Sequence, residues 1–227
     1  EIIVNKQNVE IIDNEIDKLN KAIEKGLVEI EELYKETLNT VGEKEAEIFN
    51  AHKSMIQDPD YIDSIKAKIK KENVNVELAV KEVSNHYISI FENIKDEYLK
   101  ERSLDIKDVS QRLLRILTGV DSMDLSKITE ECIIVAEDLT PSDLAQMNIK
   151  MVQGIITENG GKTSHTSIIA RSLEIPAVTG IENITNIVKA GDMIVVDGDE
   201  GLVIANPSEE DIQKYKSKDI VFHFEVD

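Results

Sequence analysis

Residues 160–167, GGKTSHTS, set one imidazole, His165, between two pairs of hydroxyls and directly before the apolar run Ile168-Ile169-Ala170. Gly160 and Gly161 permit a tight turn, and the run that follows has helical spacing, so His165 is expected at a helix start. Free N–H groups at such an end attract anions, phosphate above all. Thr163, Ser164, Thr166 and Ser167 add hydroxyls able to fix the ring or to bind phosphoryl oxygens. Imidazole, backbone donors and hydroxyls are the parts of a phosphohistidine site, because phosphoryl transfer is mostly positioning and charge stabilisation. The same residues also suit a plain polar cap, and taken alone they leave both readings open. A metal site is disfavoured, since no second His or Cys stands nearby at ligand spacing. A Ser-His-Asp hydrolase is disfavoured too, because the G-x-S-x-G pattern is missing.

The elements that must position His165 alternate in type. After Gly119, ECIIVA predicts a buried strand, and Thr140-Pro141 an N-cap followed by proline at the first helical position, opening a helix through Met147. VQGIIT and IPAVTG predict two more strands, with the helix TSIIARSLE between them. MIVVDGDEGLVIANP predicts a hairpin turning at Asp197-Gly198, and SEEDIQKYKSK a closing helix. Before Gly119 the texture is helical throughout. Ile12, Ile16, Leu19, Ile23, Leu27, Ile30 and Leu33 recur at helical spacing. Asp58-Pro59 marks a corner between helices, and four or so antiparallel helices make a bundle. EIIV at the start is expected to join the sheet. The bundle, 9–119, is then an insertion in a discontinuous α/β domain of 1–8 and 120–218, with 219–227 as a tail.

The chain has 227 residues, 45 acidic against 26 basic, and a net charge of −19. That charge disfavours nucleic acid and anionic membrane and suits a basic protein partner. The single Cys132 lies in an apolar run and cannot form an intramolecular disulfide. No apolar stretch reaches the about 18 residues of a membrane span, and nothing at the start resembles a signal peptide. A cytoplasmic location is expected. The chain opens at Glu1 without an initiator methionine, which suggests a fragment or a processed chain.

GGKTSHTSIIARSLEIPAVTG resembles the phosphohistidine motif of phosphoenolpyruvate-utilising enzymes, most closely the enzyme I family of the bacterial sugar phosphotransferase system. EIFNAHKSMIQDP, DEYLKERSLDIKDVSQRLLRILTG and EDLTPSDLAQMN extend the resemblance in the same order over nearly the whole chain. The resemblance implies a phosphohistidine (swivelling) α/β domain with an inserted helical bundle, and a phosphoenolpyruvate-protein phosphotransferase activity. His165 would take a phosphoryl group originating from phosphoenolpyruvate and pass it to a histidine of the carrier HPr, in sugar transport. HPr would dock on the bundle through Glu43, Lys44, Glu47, His52, Met55, Asp58, Asp60 and Arg102. Phosphoenolpyruvate and its Mg²⁺ would be bound by a C-terminal domain outside these residues, with no cofactor and no metal in this part. The part alone is expected to be monomeric and the full-length enzyme a homodimer.

Three departures accompany the resemblance. The family's opening strand with its Ser-Pro-Gly signature is missing, Leu144 stands where members commonly carry a Thr that contacts the imidazole, and Lys44 is one position from the family's basic slot, held here by Glu45. Two alternatives follow. One is the nitrogen-related enzyme I paralogue serving a regulatory carrier; the other is a docking module without catalysis. His86 is expected to be structural, and His223 to lie in the tail.

Overall fold

The computed structural model describes residues 2–7, 9, 11–94, 97–120, 125–161 and 164–216. Internal contacts divide the chain into two units, Glu1–Met123 and Asp124–Asp227.

The first unit holds five helices among the described residues: α1 Ile12–Thr40, α2 Glu43–Ile56, α3 Pro59–Glu72, α4 Val76–Glu92 and α5 Glu97–Thr118. Leu19, Ile23, Ile30 and Leu33 of α1 are buried as the spacing predicts, and beyond them Leu38 is 40% exposed. At Gly26 of α1 a Cβ would stand 2.7 Å from Ile56 Cδ1 of α2, so a larger residue there displaces that side chain. The corner before α3 is built as the sequence indicates. Asp58 Oδ1 accepts from the Tyr61 N–H at 3.0 Å, and Pro59 occupies the first helical position.

EIIV is expected in the sheet, but residues 2–7 carry no strand. Instead the Gln7 N–H donates to Asn75 Oδ1 and the Val9 N–H to Asn73 O, both acceptors in the α3–α4 connection. The β-branched residues of EIIV raise strand propensity, but propensity yields to the partners that the chain finds.

Glu15 of α1 is buried although its side chain is acidic. It is 5% exposed, its Oε2 accepts from the Val76 N–H at the start of α4 at 2.8 Å, and its Oε1 accepts from Lys18 at 2.6 Å. That bond raises the Lys18 pKa. One helix thus caps another across 61 positions of sequence. Glu15→Ala strands a buried backbone donor and is expected to destabilise the helical unit by about 2–3 kcal/mol, read by urea unfolding followed by circular dichroism.

The second unit begins with a 3-10 turn, Leu125–Lys127, and continues with β1 Cys132–Ala136, α6 Pro141–Gln146, β2 Val152–Thr157, α7 His165–Ser172, β3 Ala177–Thr179, α8 Ile184–Ile187, β4 Ile194–Asp197, β5 Leu202–Ala205 and α9 Glu209–Lys216. β1, β2 and β3 form a parallel sheet in that order, with Ile134 beside Ile155 and Ile156 beside Val178. β4 and β5 form the antiparallel hairpin that the Asp197-Gly198 turn predicts. Strand residues alternate between two apolar layers. Cys132, Ile134 and Ile155 pack with Leu144 of α6 and with Ile169 and Ala170 of α7. Ile133, Val135 and Ile156 pack with Ile184, Val188, Ile194 and Val196. The parallel strands are therefore covered on both faces, as parallel sheets require. Among the described residues no helix is long and apolar enough to cross a membrane.

Candidate functional site

β2 ends at Thr157, which is fully buried, and the chain leaves the sheet through a loop tied at each step. Thr157 Oγ1 donates to Asn159 O at 2.7 Å, while the Glu158 and Asn159 N–H groups donate to Ala136 O and Glu137 O. The Gly180 and Ile181 N–H groups both donate to Thr157 O, so the exits of β2 and β3 are bound together. Gly160 has φ +103°, and a Cβ there would lie 3.2 Å from Ser164 Oγ. Only glycine adopts this backbone without strain.

Ser164 caps α7. Its Oγ accepts from the Ser167 N–H at 3.3 Å, its own N–H donates to Gly161 O at 3.0 Å, and Ser167 Oγ donates to Gly161 O at 2.7 Å. Ser164 and Ser167 thus support the loop that presents His165. Thr166 is only 2% exposed, so its hydroxyl faces the interior. Gly161 is exposed, and Thr163 lies outside the described residues.

His165 is the first residue of α7 and is half-buried. Its Nδ1 is sealed from solvent and has no hydrogen-bond partner among the described residues. A buried polar atom in that state is unusual, and His52 Nδ1 in the helical unit shares it. Leu144 is 1% exposed, in the apolar layer that also contains Ile169 of α7, and offers no hydroxyl.

Glu158, seven residues before His165, ties the loop to α8. Its Oε1 accepts from the Thr185 N–H at 3.0 Å and from Thr185 Oγ1 at 2.5 Å. The hydroxyl bond, then the backbone bond, holds the carboxyl below the usual glutamate range. A depressed pKa contributes stability that is present above the unfolded value and lost as pH falls through the folded one. The tether is therefore expected to persist near neutrality and to loosen only as pH falls below the ordinary glutamate range, seen as faster amide exchange at Thr185. Glu158→Gln should remove that pH dependence.

The resemblance-derived docking residues fall into three groups. Met55, Asp58 and Asp60 share one groove of about 340 Å³ in the helical unit. Its walls are apolar, with Tyr87 and Phe91 from α4 and Ile106 and Val109 from α5. Tyr61 closes the floor, with its hydroxyl 2.7 Å from Ser84 Oγ and its pKa pushed up to about 12 by burial. Asp58 and Asp60 are exposed at the rim. Arg102 lies on α5, its side chain 30% exposed, bonded to Asp105 Oδ2 at 3.3 Å. Glu43, Lys44 and Glu47 are exposed at the other end of α2, roughly 12–18 Å along its axis from Met55.

His52 must be corrected. It is 0% exposed, its Nε2 lies 3.4 Å from Asp105 Oδ1, and Phe49 meets its ring edge-on at 5.5 Å. It cannot touch a partner from there. Sequence reasoning missed Tyr87 and Phe91, although their spacing of four on α4 is the pattern of one helix face. Among the described residues no group of three or more His, Cys, Asp or Glu side chains is placed to hold a metal ion.

Comparison with known proteins identifies the family of the chain. Residues 2–102 match the family described as PEP-utilising enzyme, N-terminal, and residues 128–201, which include the His165 loop, match PEP-utilising enzyme, mobile domain. Phosphoenolpyruvate-protein phosphotransferase from Mycoplasma capricolum is 45% identical over 95% of this chain, and that from Priestia megaterium is 45% identical over 96%. The chain spans 38% of the length of each of these relatives. A solution structure of an Enzyme I protein aligns with a TM-score of 0.74 at 46% identity, covering 96% of this chain and 89% of that one. The N-terminal domain of a nitrogen Enzyme 1 aligns with a TM-score of 0.58 at 25% identity, covering 95% and 87%. Similarity at this level, over almost the full length of a solved Enzyme I protein, means that the chain belongs to the enzyme I family of phosphoenolpyruvate-protein phosphotransferases.

Proposed function

We propose that this chain carries a phosphoryl group on His165 and exchanges it with a histidine of HPr docked at the groove of the helical unit. The observation that carries the reading is the capped start of α7, where a loop tied by Gly161, Ser164 and Ser167 presents a half-buried imidazole. An imidazole nitrogen of His165 attacks phosphorus, and the bond from phosphorus to the carrier's nitrogen breaks, its electron pair returning to the carrier ring. Both ends are phosphohistidines, so the exchange is close to energetically balanced and reversible. In the whole enzyme the group originates from phosphoenolpyruvate, bound with Mg²⁺ by a further domain, and the route serves sugar transport. The higher identity to the Enzyme I protein than to the nitrogen Enzyme 1, 46% against 25%, supports the sugar branch.

Leu144 bears on the rate. Nucleophilic attack needs a lone pair on one ring nitrogen and a proton on the other, and a proton on a buried Nδ1 without an acceptor is unfavourable. Leu144→Thr restores the hydroxyl that the family resemblance implies and is expected to raise the transfer rate several-fold. Rapid-quench labelling from phosphorylated HPr tests both points. Transfer to His165 supports the reading, and no transfer to this chain leaves the docking module without catalysis.

A further inference from the structure

We propose that Asn159 is a site of self-modification: the Gly160 amide nitrogen displaces the Asn159 side-chain amide, and the isoaspartate that follows withdraws His165 from phosphoryl transfer. Of the chain's asparagines only Asn159 is followed by glycine, which lets the backbone close on the side chain with no Cβ in the way. Both residues are exposed. Neither the Asn159 side-chain amide nor the Gly160 N–H has a hydrogen-bond partner among the described residues, so electrophile and nucleophile are both free. Only the Asn159 backbone is held. Its N–H donates to Glu137 O at 2.9 Å, and its O accepts from Oγ1 of the fully buried Thr157 at 2.7 Å. The second bond favours the reaction. As Gly160 N loses its proton, charge spreads onto Asn159 O, and a fixed hydroxyl donor stabilises the charge that develops there. Asp197-Gly198 is the contrast, with the same glycine neighbour in a sealed place. Asp197 is 2% exposed, its Oδ1 accepts from the Asp199 and Glu200 N–H groups, and Gly198 packs against Pro176 and Ala177.

In the first step the proton of Gly160 N passes to water, the nitrogen bonds to Asn159 Cγ, and the bond from Cγ to the side-chain nitrogen breaks, releasing ammonia. The product is a cyclic imide. Water then opens the ring at either carbonyl. Attack at Cγ gives aspartate, whereas attack at the backbone carbonyl carbon gives isoaspartate, in which the chain runs through Cβ and Cγ and the former backbone carbonyl is a free carboxylate. Water is consumed and ammonia released, with no oxidation. Isoaspartate lengthens the backbone by a carbon between Glu137, to which Asn159 is tied, and Gly161, which accepts from Ser164 and Ser167. The loop has no slack for it: at Gly160 even an added Cβ would stand 3.2 Å from Ser164 Oγ. The start of α7 must therefore shift, and small misplacements of a nucleophile are costly. The consequence for transfer rests on the phosphohistidine reading above; the modification itself does not.

The test ages the full chain in mildly alkaline buffer and follows it by peptide mapping, with electron-transfer fragmentation to tell isoaspartate from aspartate. Isoaspartate is expected to accumulate at Asn159 faster than at any other asparagine, to be labelled by an isoaspartate-specific methyltransferase, and to be missing in Asn159→Gln. An Asn159 that stays intact while other asparagines convert would overturn the inference. Thr157→Val keeps the side-chain volume and the backbone bonds to Gly180 and Ile181. It should slow conversion about tenfold, the worth of one hydrogen bond to a developing charge; equal or faster conversion would overturn the part assigned to Thr157. Transfer from phosphorylated HPr is then compared in fresh and aged chains. In the isoaspartate fraction the rate should fall about a hundredfold. Fresh Asn159→Asp, which carries the charge without the added carbon, should lose less than about fivefold, and aged Asn159→Gln should keep its fresh rate. Equal transfer in modified and unmodified chains would overturn the link to His165. No transfer in the fresh chain would count against the phosphohistidine reading instead, while the mapping still decides the modification.

Discussion

His165→Ala is expected to abolish acid-labile phosphorylation of this chain entirely, while His86→Ala leaves it at the unmodified level. The effect is all or none because the nucleophile itself is removed, whereas the supporting loop stays tied through Ser164, Ser167 and Gly161. His86 is exposed on α4, away from any glycine turn, so its loss costs little. His52 is a poor control, because a fully buried ring bonded to Asp105 supports the bundle. Phosphorylation is scored by mass spectrometry at neutral pH, with acid lability as the mark of a P–N bond. Label retained in His165→Ala would place the nucleophile elsewhere.

The groove separates two kinds of contribution, and its variants are expected to differ in kinetics. Phe91→Ala and Met55→Ala remove apolar lining of the groove and should weaken HPr binding about 10- to 100-fold through faster dissociation. Asp60→Lys reverses a rim charge. Its effect is expected mainly in the association rate, shrinking as salt rises toward and beyond physiological strength. Asp58 is a less clean probe, because its carboxylate also caps α3 at Tyr61 and its replacement costs about 1 kcal/mol of stability as well. Stopped-flow binding at several salt concentrations distinguishes the classes. Identical salt dependence for Asp60→Lys and the unmodified protein would point to another docking face.

Local chemistry was legible in the sequence wherever the residues that satisfy each other are close in the chain. The capping box of α6, with Thr140 and Asp143 exchanging bonds, follows from two residues three apart. The Asp197-Gly198 hairpin and the start of α7 at His165 follow in the same way. Long-range satisfaction was not legible. His52 stands in a helix of mixed polarity, and only Asp105, 53 positions on, makes its burial tolerable. Glu15 looks like one more acid on a solvated face until Val76 is found above it. EIIV carries strand residues, yet the chain just after it bonds to the α3–α4 connection. The groove is assembled from residues of four helices, and no single stretch of sequence contains its pattern.

The central claim, that His165 carries a phosphoryl group received from HPr, is tested most directly by phosphorus NMR of this chain mixed with phosphorylated HPr. The account expects the phosphohistidine signal of HPr to fall while a second phosphohistidine signal grows, to reach equilibrium from either direction, and to be missing in His165→Ala. A spectrum in which phosphorylated HPr persists unchanged, with binding intact, would contradict it.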